Sequence, residues 1–464
     1  MRSSHTAAAV SAVFDDANLV GYGGLEPVVR LAERCGLPDL VSGHVRISGA
    51  ANSGGANADA KVLSLVAGMT AGADSIDDID RLRHGGMGLL FDGARAPSTA
   101  GTFLRSFTHG HNRQLHAVHR AFLARLATAT DLLPGGDRMT FVDVDPSHVR
   151  VYGRAKQGAE YGRLKGKRTL HPLIATISTS RAAPVIGPVR LRRGKAADVR
   201  GGESFVAEAI GVARQAGATG AILVRADSKF YTAQVVAACR RAGALFSLST
   251  GINPSITAAI AGIGEPDWVD IVYPHPIEDP DTGALISKAQ VARIRYTAFV
   301  GRPRRQQVTA WLIVRRVRRE NTTAAQGQGE LFTVYRYHPV FTDNPAPLVE
   351  AETTHRQHAI VEPTIADLKA SALAHLPSGS FQANNAWLTL AAIAHNLTRA
   401  AGCAASALHA KAETATIRDQ LIAVPARVAR SARRLILHLP EAWPWEHAWQ
   451  RLFTTAHAPP AAAA

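Results

Sequence analysis

Hydrophobic and polar positions follow a helical period in some parts of the chain and a strand period in others. Up to about residue 130, apolar residues recur at the spacing of amphipathic helices, for example over 25–34, 60–70 and 115–128. From about 138, short apolar runs alternate with helical patterns, and from about 266 to 350 strand-like patterns dominate. Helical spacing returns from about 355 to 437. Strands and helices in this order predict an α/β protein.

The central segment carries the pattern of a mixed sheet. Three predicted strands follow one another without a helix, and two later strands alternate with helices over 204–215 and 232–242. The five predicted strands cover residues 140–145, 148–152, 170–180, 221–226 and 245–250. This order is similar to that of a ribonuclease-H-like core.

These patterns predict five parts of the chain. They are a helical N-terminal DNA-binding or dimerisation region (1–135), the first part of a ribonuclease-H-like core (136–265), a β-rich insertion (266–350), a second, helical part of the core (351–440) and a C-terminal tail (441–464) with a disordered end. The short N-terminal helices resemble helix-turn-helix modules, but a dimerisation bundle fits them equally well. The sequence leaves both readings open.

Charge points to an acidic partner. The 464 residues include 52 Lys and Arg against 37 Asp and Glu, a formal net charge of +15. Such an excess is typical of proteins that bind DNA or RNA, although a merely basic soluble protein and a membrane-surface binder remain alternatives. The three cysteines are far apart and predict no disulfide, and no apolar run approaches the ~18 residues of a membrane span. We therefore expect a cytoplasmic, nucleoid-associated protein without a membrane partner.

Three acidic residues carry the candidate chemistry. Asp145 and Asp227 each end a predicted strand, and Glu362 opens a segment of helical spacing. If the fold brings them together, their oxygens would suit Mg²⁺, and two such ions about 4 Å apart can act on a phosphodiester. Asp143 lies on the same strand face as Asp145 and competes with it. We prefer Asp145 as the ligand because a cation reaches the strand end more easily, and we assign Asp143 to a supporting position beside it.

Three segments resemble a known family. Residues 142–153, 225–230 and 355–369, the last followed by 384–388, resemble DDE-type transposases of bacterial insertion sequences, most closely the insertion sequence 1380 group. The resemblance covers nearly the whole chain. It implies that Asp145, Asp227 and Glu362 are catalytic and bind Mg²⁺, for which Mn²⁺ would be a possible substitute.

The resemblance also implies DNA contacts near Glu362. The Glu and Lys of the family's Tyr–Arg–Glu–Lys signature fall on Glu362 and Lys369, while His355 and His358 occupy the Tyr and Arg positions, with Arg356 beside them. In related enzymes these positions contact the phosphates at the DNA end. A basic loop close in sequence to Asp145 adds four further candidates, Arg163, Lys165, Lys167 and Arg168.

The resemblance implies a transposase that cleaves phosphodiester bonds at insertion-sequence ends and joins the 3′-hydroxyl to target DNA by two-metal-ion catalysis. Its partners would be double-stranded DNA, both terminal inverted repeats and target, and a second copy of the chain on that DNA. Two alternatives remain. One is a catalytically silent DNA-binding protein descended from a transposase, suggested by His355, His358 and Pro363. The other is a metal-dependent nuclease without strand transfer.

Overall fold

Helices form the N-terminal part of the molecule. The computed structural model describes the chain except residues 2, 7–8, 49–52, 163, 279–284, 319–334, 433 and 460–464, and except the side chains of 53, 274–278 and 285–286. The first elements are β1 (Leu19–Val20), α1 (Leu25–Arg34), α2 (Leu37–His44), α3 (Ala58–Thr70), α4 (Met87–Leu90), α5 (Pro97–Arg105) and α6 (His109–Ala129). Gly36, with φ of 69°, lets the chain turn sharply from α1 into α2. The Thr108 hydroxyl accepts from the His111 N–H and so caps α6. The helices predicted before residue 130 are confirmed.

A mixed sheet follows. Its segment of the chain contains β2 (Met139–Pro146), β3 (Val149–Arg150), β4 (Glu160–Tyr161), β5 (Arg168–Leu170), β6 (Leu173–Thr179), β7 (Val185–Arg190), α7 (Gly202–Gln215), β8 (Ala221–Ala226), α8 (Ala233–Arg241), β9 (Leu245–Ser249) and α9 (Pro254–Ala261). The strands β7, β6 and β2 form an antiparallel meander. Strand β8 is parallel to β2, and β9 is parallel to β8. The prediction of a mixed sheet is confirmed.

Two predicted strands differ from the structure. The 148–152 strand is only the two-residue β3, which belongs to a separate small sheet in the order β3-β5-β4. The third strand of the meander is β7, which the sequence pattern did not reveal because Gly187 and Pro188 interrupt it. Strand β7 tolerates a proline because it lies at the edge of the sheet. The predicted 170–180 strand is divided at Pro172 into β5 and β6.

The β-rich segment extends the central sheet. It contains β10 (Val269–Glu278), β11 (Leu285–Ala298), β12 (Val308–Arg318) and β13 (Tyr335–Thr342). Strand β13 pairs antiparallel with β9. The result is one sheet of nine strands in the order β10-β11-β12-β13-β9-β8-β2-β6-β7. The β character predicted for this segment is confirmed for the described residues, and residues 279–284 and 319–334 lie outside them.

The remaining elements close the fold around α12. They are α10 (Leu348–Arg356), α11 (Val361–Lys369), α12 (Phe381–Ala405), α13 (Thr414–Ile417), β14 (Ala426–Ser431), β15 (Arg434–His438) and α14 (Glu446–His457). Helix α12 is buried along most of its length and packs against α3, α6 and β7. The indole of Trp387 in α12 donates to the carbonyl of Ala372, which precedes the helix, at 2.7 Å.

The helical prediction was wrong at its C-terminal end. Residues 426–431 and 434–438 form a hairpin that pairs with β1. Ala426, Arg427 and Val428 alternate between buried and exposed, which is a strand period that was missed. Beyond residue 441 the chain forms α14, whose Trp449 and Leu452 are buried, and α14 packs against α1 and α12.

The apolar core is continuous from the N-terminal helices to the central sheet. One cluster of buried residues includes Leu31 of α1, Phe103 of α5, Val142 of β2 and Leu390 of α12. The three cysteines are unpaired, as predicted. Among the described residues, no helix combines the length and the apolar character needed to cross a membrane.

Candidate active site

Asp145 and Asp227 occupy matching positions on neighbouring parallel strands. Val144 of β2 is in register with Ala226 of β8. The residue that follows Val144 is Asp145, and the residue that follows Ala226 is Asp227. Adjacent strands lie about 4.8 Å apart, so both carboxylates lie close together at the carboxyl ends of these two parallel strands. Both side chains are partly exposed there.

Glu362 comes from the start of α11. The helix begins at Val361, so Pro363 lies in its first turn, where a proline does not interrupt the helix. Val361, Ile365 and Leu368 bury one face of α11, which packs on β2 and β6, while Glu362 is exposed.

Electrostatic coupling links the three acids. The pKa of Asp145 is raised to about 6, chiefly by burial and also by the negative charges of Asp227 and Glu362, while the positive charges of His358 and Lys229 act to lower it. Three carboxylates that repel one another supply the oxygen donors that Mg²⁺ prefers. Within the described parts of the chain, however, no group of three or more His, Cys, Asp or Glu side chains is arranged to hold a metal ion. The three acids therefore interact electrostatically, but they do not form a closed set of metal ligands.

Asp143 is occupied by a buried arginine. The Arg225 Nε and Nη2 donate to its two carboxylate oxygens, each at 2.7 Å, and both side chains are at most 1% exposed. The His358 ring Nδ1 lies 2.8 Å from Asp143 Oδ1, and Arg225 Nη1 donates to the Thr354 carbonyl at 2.6 Å. This cluster ties β2, β8 and α10 together directly beneath the acids. Both carboxylate oxygens of Asp143 are engaged by these contacts, and its supporting position stays a prediction.

Sequence reasoning missed Arg225, although a signal was present. An arginine inside an apolar strand requires a buried partner. Arg225 precedes Asp227 by two residues, as Asp143 precedes Asp145, so parallel strands in register place the two side by side. Searching for this matched spacing would have found the pair.

Lys229 was also missed. Its ammonium lies 2.9 Å from Asp198 Oδ2 and 3.5 Å from Asp227 Oδ2. The other Asp198 oxygen lies 3.3 Å from the His171 ring, which stacks on His148 at 3.9 Å between centroids. Asp198 comes from the segment between β7 and α7, where no sequence pattern singled it out.

Two further residues of the predicted DNA-contacting set, His355 and Arg168, hydrogen-bond inside the protein, as His358 does. The His355 ring nitrogens hydrogen-bond to the hydroxyls of Ser247 and Ser249 at 2.9 and 3.0 Å, and burial lowers its pKa to about 3. Both ring nitrogens of His355 are therefore engaged inside the protein, and its contact with DNA stays a prediction. Arg168 donates to the carbonyls of three loop residues, Gly153, Arg154 and Ala159.

Other basic residues keep some exposure. Lys165 and Lys167 are exposed in the turn between β4 and β5, whereas Arg163 lies outside the described residues. Arg356 is partly exposed, stacks on the Tyr273 ring and pairs with Glu352.

Lys369 joins α11 to the segment after Asp145. Its ammonium donates to the His148 carbonyl at 3.1 Å and to the Ser147 hydroxyl at 3.4 Å. Burial lowers the pKa of Lys369, while the charge of Asp145 raises it. These contacts hold the helix of Glu362 against the strand of Asp145.

An open cavity adjoins Glu362. Its volume is about 340 Å³, and its lining combines the carboxylate of Glu362 with cationic and aromatic side chains, among them Arg315, Arg356 and Tyr337. Arg315 and Arg356 both pair with Glu352, which also lines the cavity, so charges of both signs lie beside Glu362.

Comparison with known proteins places the whole chain in one family. The family model described as "Transposase DDE domain group 1" matches residues 3–458. No curated protein matches the chain.

Proposed function

The chain belongs to this family of DDE transposases, and we propose that it cleaves DNA at the ends of an insertion sequence and joins the freed 3′-hydroxyl to target DNA. Asp145, Asp227 and Glu362 are the proposed catalytic residues. The observation that carries this assignment is that the charges of Asp227 and Glu362 both act on Asp145, although 217 residues separate the first acid from the last. Charge coupling of this kind is typical of functional sites.

We also propose that the core is ribonuclease-H-like. The support is the strand order β7-β6-β2-β8-β9, in which an antiparallel meander is followed by two parallel strands. Asp145 and Asp227 lie at the ends of the first and fourth of these strands along the chain, β2 and β8. The likeness to the insertion sequence 1380 group rests on the same motifs and stays a proposal.

The chemistry of the three carboxylates fits divalent cations, although among the described residues they do not form a closed set of ligands. Asp145, Asp227 and Glu362 would hold Mg²⁺, or Mn²⁺ as a substitute, because all three offer carboxylate oxygens and their mutual repulsion favours a bound cation. When bound, such ions lower the pKa of a water nucleophile and offset charge on the phosphate.

The chain's own residues orient this site. The Asp143–Arg225 pair fixes β2 against β8 and so sets the spacing of Asp145 and Asp227. Lys369 fixes α11, and with it Glu362, to the loop that follows Asp145. An ammonium group has three N–H donors, so Lys369 retains one for a phosphate of the DNA end.

We propose double-stranded DNA, as terminal inverted repeats and as target, for the partner. The helical residues 1–135 would recognise the repeats, and the exposed Lys165 and Lys167 would contact the backbone. Two ends must be joined in one reaction, so at least two copies of the chain would act together.

One observation favours a second candidate function. His355, at a family position that contacts DNA, is neutral and bound to serines, which suits a silent DNA-binding descendant of a transposase. A nuclease without strand transfer shares the same site.

One incubation separates these functions. The purified chain is mixed with Mg²⁺ and an end-labelled duplex copied from the DNA that flanks its gene. Joined product supports the transposase, nicking without joining supports the nuclease, and binding without nicking supports the silent protein. The Asp145→Asn variant is the control for a contaminating nuclease, and a wild type that neither binds nor cuts contradicts all three.

A further inference from the structure

Four arginines of strands β11 and β12 fall into two groups. Arg315 and Arg316 are neutralised, the first by Glu352 at 3.6 Å and the second by Glu265 through two hydrogen bonds at 2.7 and 2.8 Å. Arg293 and Arg295 on β11 are exposed, and neither forms a salt bridge with any described residue. The first group stabilises the fold, whereas the second leaves two positive charges facing solvent.

The two exposed arginines are held in place by one indole ring. The guanidinium carbons of Arg293 and Arg295 lie 4.4 and 4.9 Å from the centroid of Trp311. Trp311 is directly opposite Arg295 on β12, and its body packs against Ile313 and Val340. We call Arg293, Arg295 and Trp311 the arginine patch. Stacking on a fixed ring restricts both side chains, so less conformational entropy is lost when they bind an anion.

The arginine patch lies on the same sheet face as the catalytic acids. Cross-strand partners run in one row from Asp143 through Arg225, Ser247, Thr342 and Trp311 to Arg295. Directly paired residues point to one face, and Asp145 shares that face with Asp143 because side chains alternate along a strand.

Strand spacing gives the distance between them. Strand β11 is four strands from β8, which is about 19 Å at about 4.8 Å per strand. A duplex rising about 3.4 Å per base pair covers that span in roughly six base pairs. Between the arginine patch and the acids, helix α10 covers the sheet by packing on Ile313 and Val340.

We infer that the arginine patch binds the phosphate backbone of duplex DNA about six base pairs from the reacting phosphate. The inference rests on the proposed function, since it takes the acids as the point where DNA is cut. Planar guanidinium groups match phosphate oxygens in pairs, and unneutralised charge on a rigid sheet favours a polyanion over a peptide or lipid. The Trp311 ring is occupied by the arginines, so the contact is to the backbone and carries no sequence preference.

The test is the salt dependence of DNA binding without divalent ions. Binding of a fluorescent duplex of about 30 base pairs of arbitrary sequence is measured in EDTA over a range of salt concentrations. Loss of two phosphate contacts in Arg293→Gln with Arg295→Gln should lower the slope of log K against log salt by about 1.8 and weaken binding roughly 30-fold at 0.15 M salt.

Matched variants distinguish the effect of the charges in the arginine patch from the effect of the protein's net charge. Arg240→Gln with Arg241→Gln on α8 removes the same two charges elsewhere and should leave the slope near that of wild type. Arg293→Lys with Arg295→Lys keeps the charge and should keep most of the slope. An equal thermal unfolding midpoint confirms that each variant is folded.

The outcomes distinguish this inference from the proposed function. A patch variant whose slope equals that of the α8 variant overturns the arginine patch while DNA binding and cleavage by wild type still stand. A wild type that binds no DNA overturns both. If the slopes of wild type and the patch variant differ as expected but wild type never cuts DNA, the result supports the arginine patch and contradicts the proposed enzymatic activity.

Discussion

Asp143 and Arg225 are cross-strand partners in register on β2 and β8, and two hydrogen bonds of 2.7 Å join their side chains in the interior. Each precedes by two residues one of the proposed catalytic acids, Asp145 and Asp227. The ion pair therefore fixes the relative height of two strands whose ends carry the acids. Burial of both charges is tolerated because the Thr354 carbonyl and the His358 ring satisfy further hydrogen-bonding positions.

Breaking this pair should destabilise the protein strongly. Arg225→Met leaves the Asp143 carboxylate buried without its partner, which should cost about 3–5 kcal/mol of unfolding free energy. Urea unfolding followed by tryptophan fluorescence measures the change. Arg225→Met combined with Asp143→Asn removes the uncompensated charge and should recover part of the loss. A single variant as stable as wild type would contradict the structural role.

Neutralising Asp145 should stabilise the protein and abolish cleavage. Its folded pKa of about 6 lies above the ordinary aspartate value of 3.8, so the folded state disfavours ionisation and loses stability as pH rises between these values. The penalty is complete above pH 6 and amounts to at most about 3 kcal/mol. Asp145→Asn should therefore raise the unfolding midpoint at pH 7.5, with little gain at pH 4. Strand cleavage should fall by more than about 10², since a ligand of the metal would be lost.

Lys229 should oppose cation binding at Asp227. Its ammonium lies 3.5 Å from an Asp227 oxygen and brings positive charge to the place where a cation would bind. Lys229→Met should tighten Mn²⁺ binding by on the order of tenfold, measured by titration calorimetry without DNA. The exposed Lys411→Met controls for the change in net charge. Weaker binding by Lys229→Met would instead mean that the lysine mainly orients Asp227.

Acid should destabilise the fold through buried histidines. Burial lowers the pKa of His119 to about 3, and its ring Nε2 contacts the Asn396 amide. Because the folded pKa is below that of the unfolded chain, about 6.5, stability is intact above pH 6.5 and falls toward pH 3. His119 should contribute up to about 1.4 kcal/mol per pH unit within this window. His119→Gln should flatten the pH dependence of the urea midpoint, while the exposed His84→Gln should not.

The candidate site was accessible to sequence reasoning only in part. Strand-terminal acids could be recognised at Asp145 and Asp227 because apolar runs ending in a carboxylate are costly to bury. The ion pair of Lys229 and Asp198 could not be predicted, because an ion pair between a turn and a loop produces no periodic pattern in the sequence. The serine partners of His355 could not be predicted, because a family position indicates where a residue lies along the chain and not which side chains surround it.

Local pattern by itself determined the N-terminal helices, the strands that carry Asp145 and Asp227, the β character of residues 266–350 and the basic charge. Each of these depends on residues close together along the chain or on composition, and hydrophobic periodicity and net charge report them directly. Tertiary structure alone decided that β13 joins β9, that residues 426–438 return as a hairpin to β1, that Arg225 neutralises Asp143 and that Arg293 and Arg295 share a face with the acids. Those outcomes depend on which distant segments pack together, and that choice is made by the free energy of the whole core rather than by any local pattern.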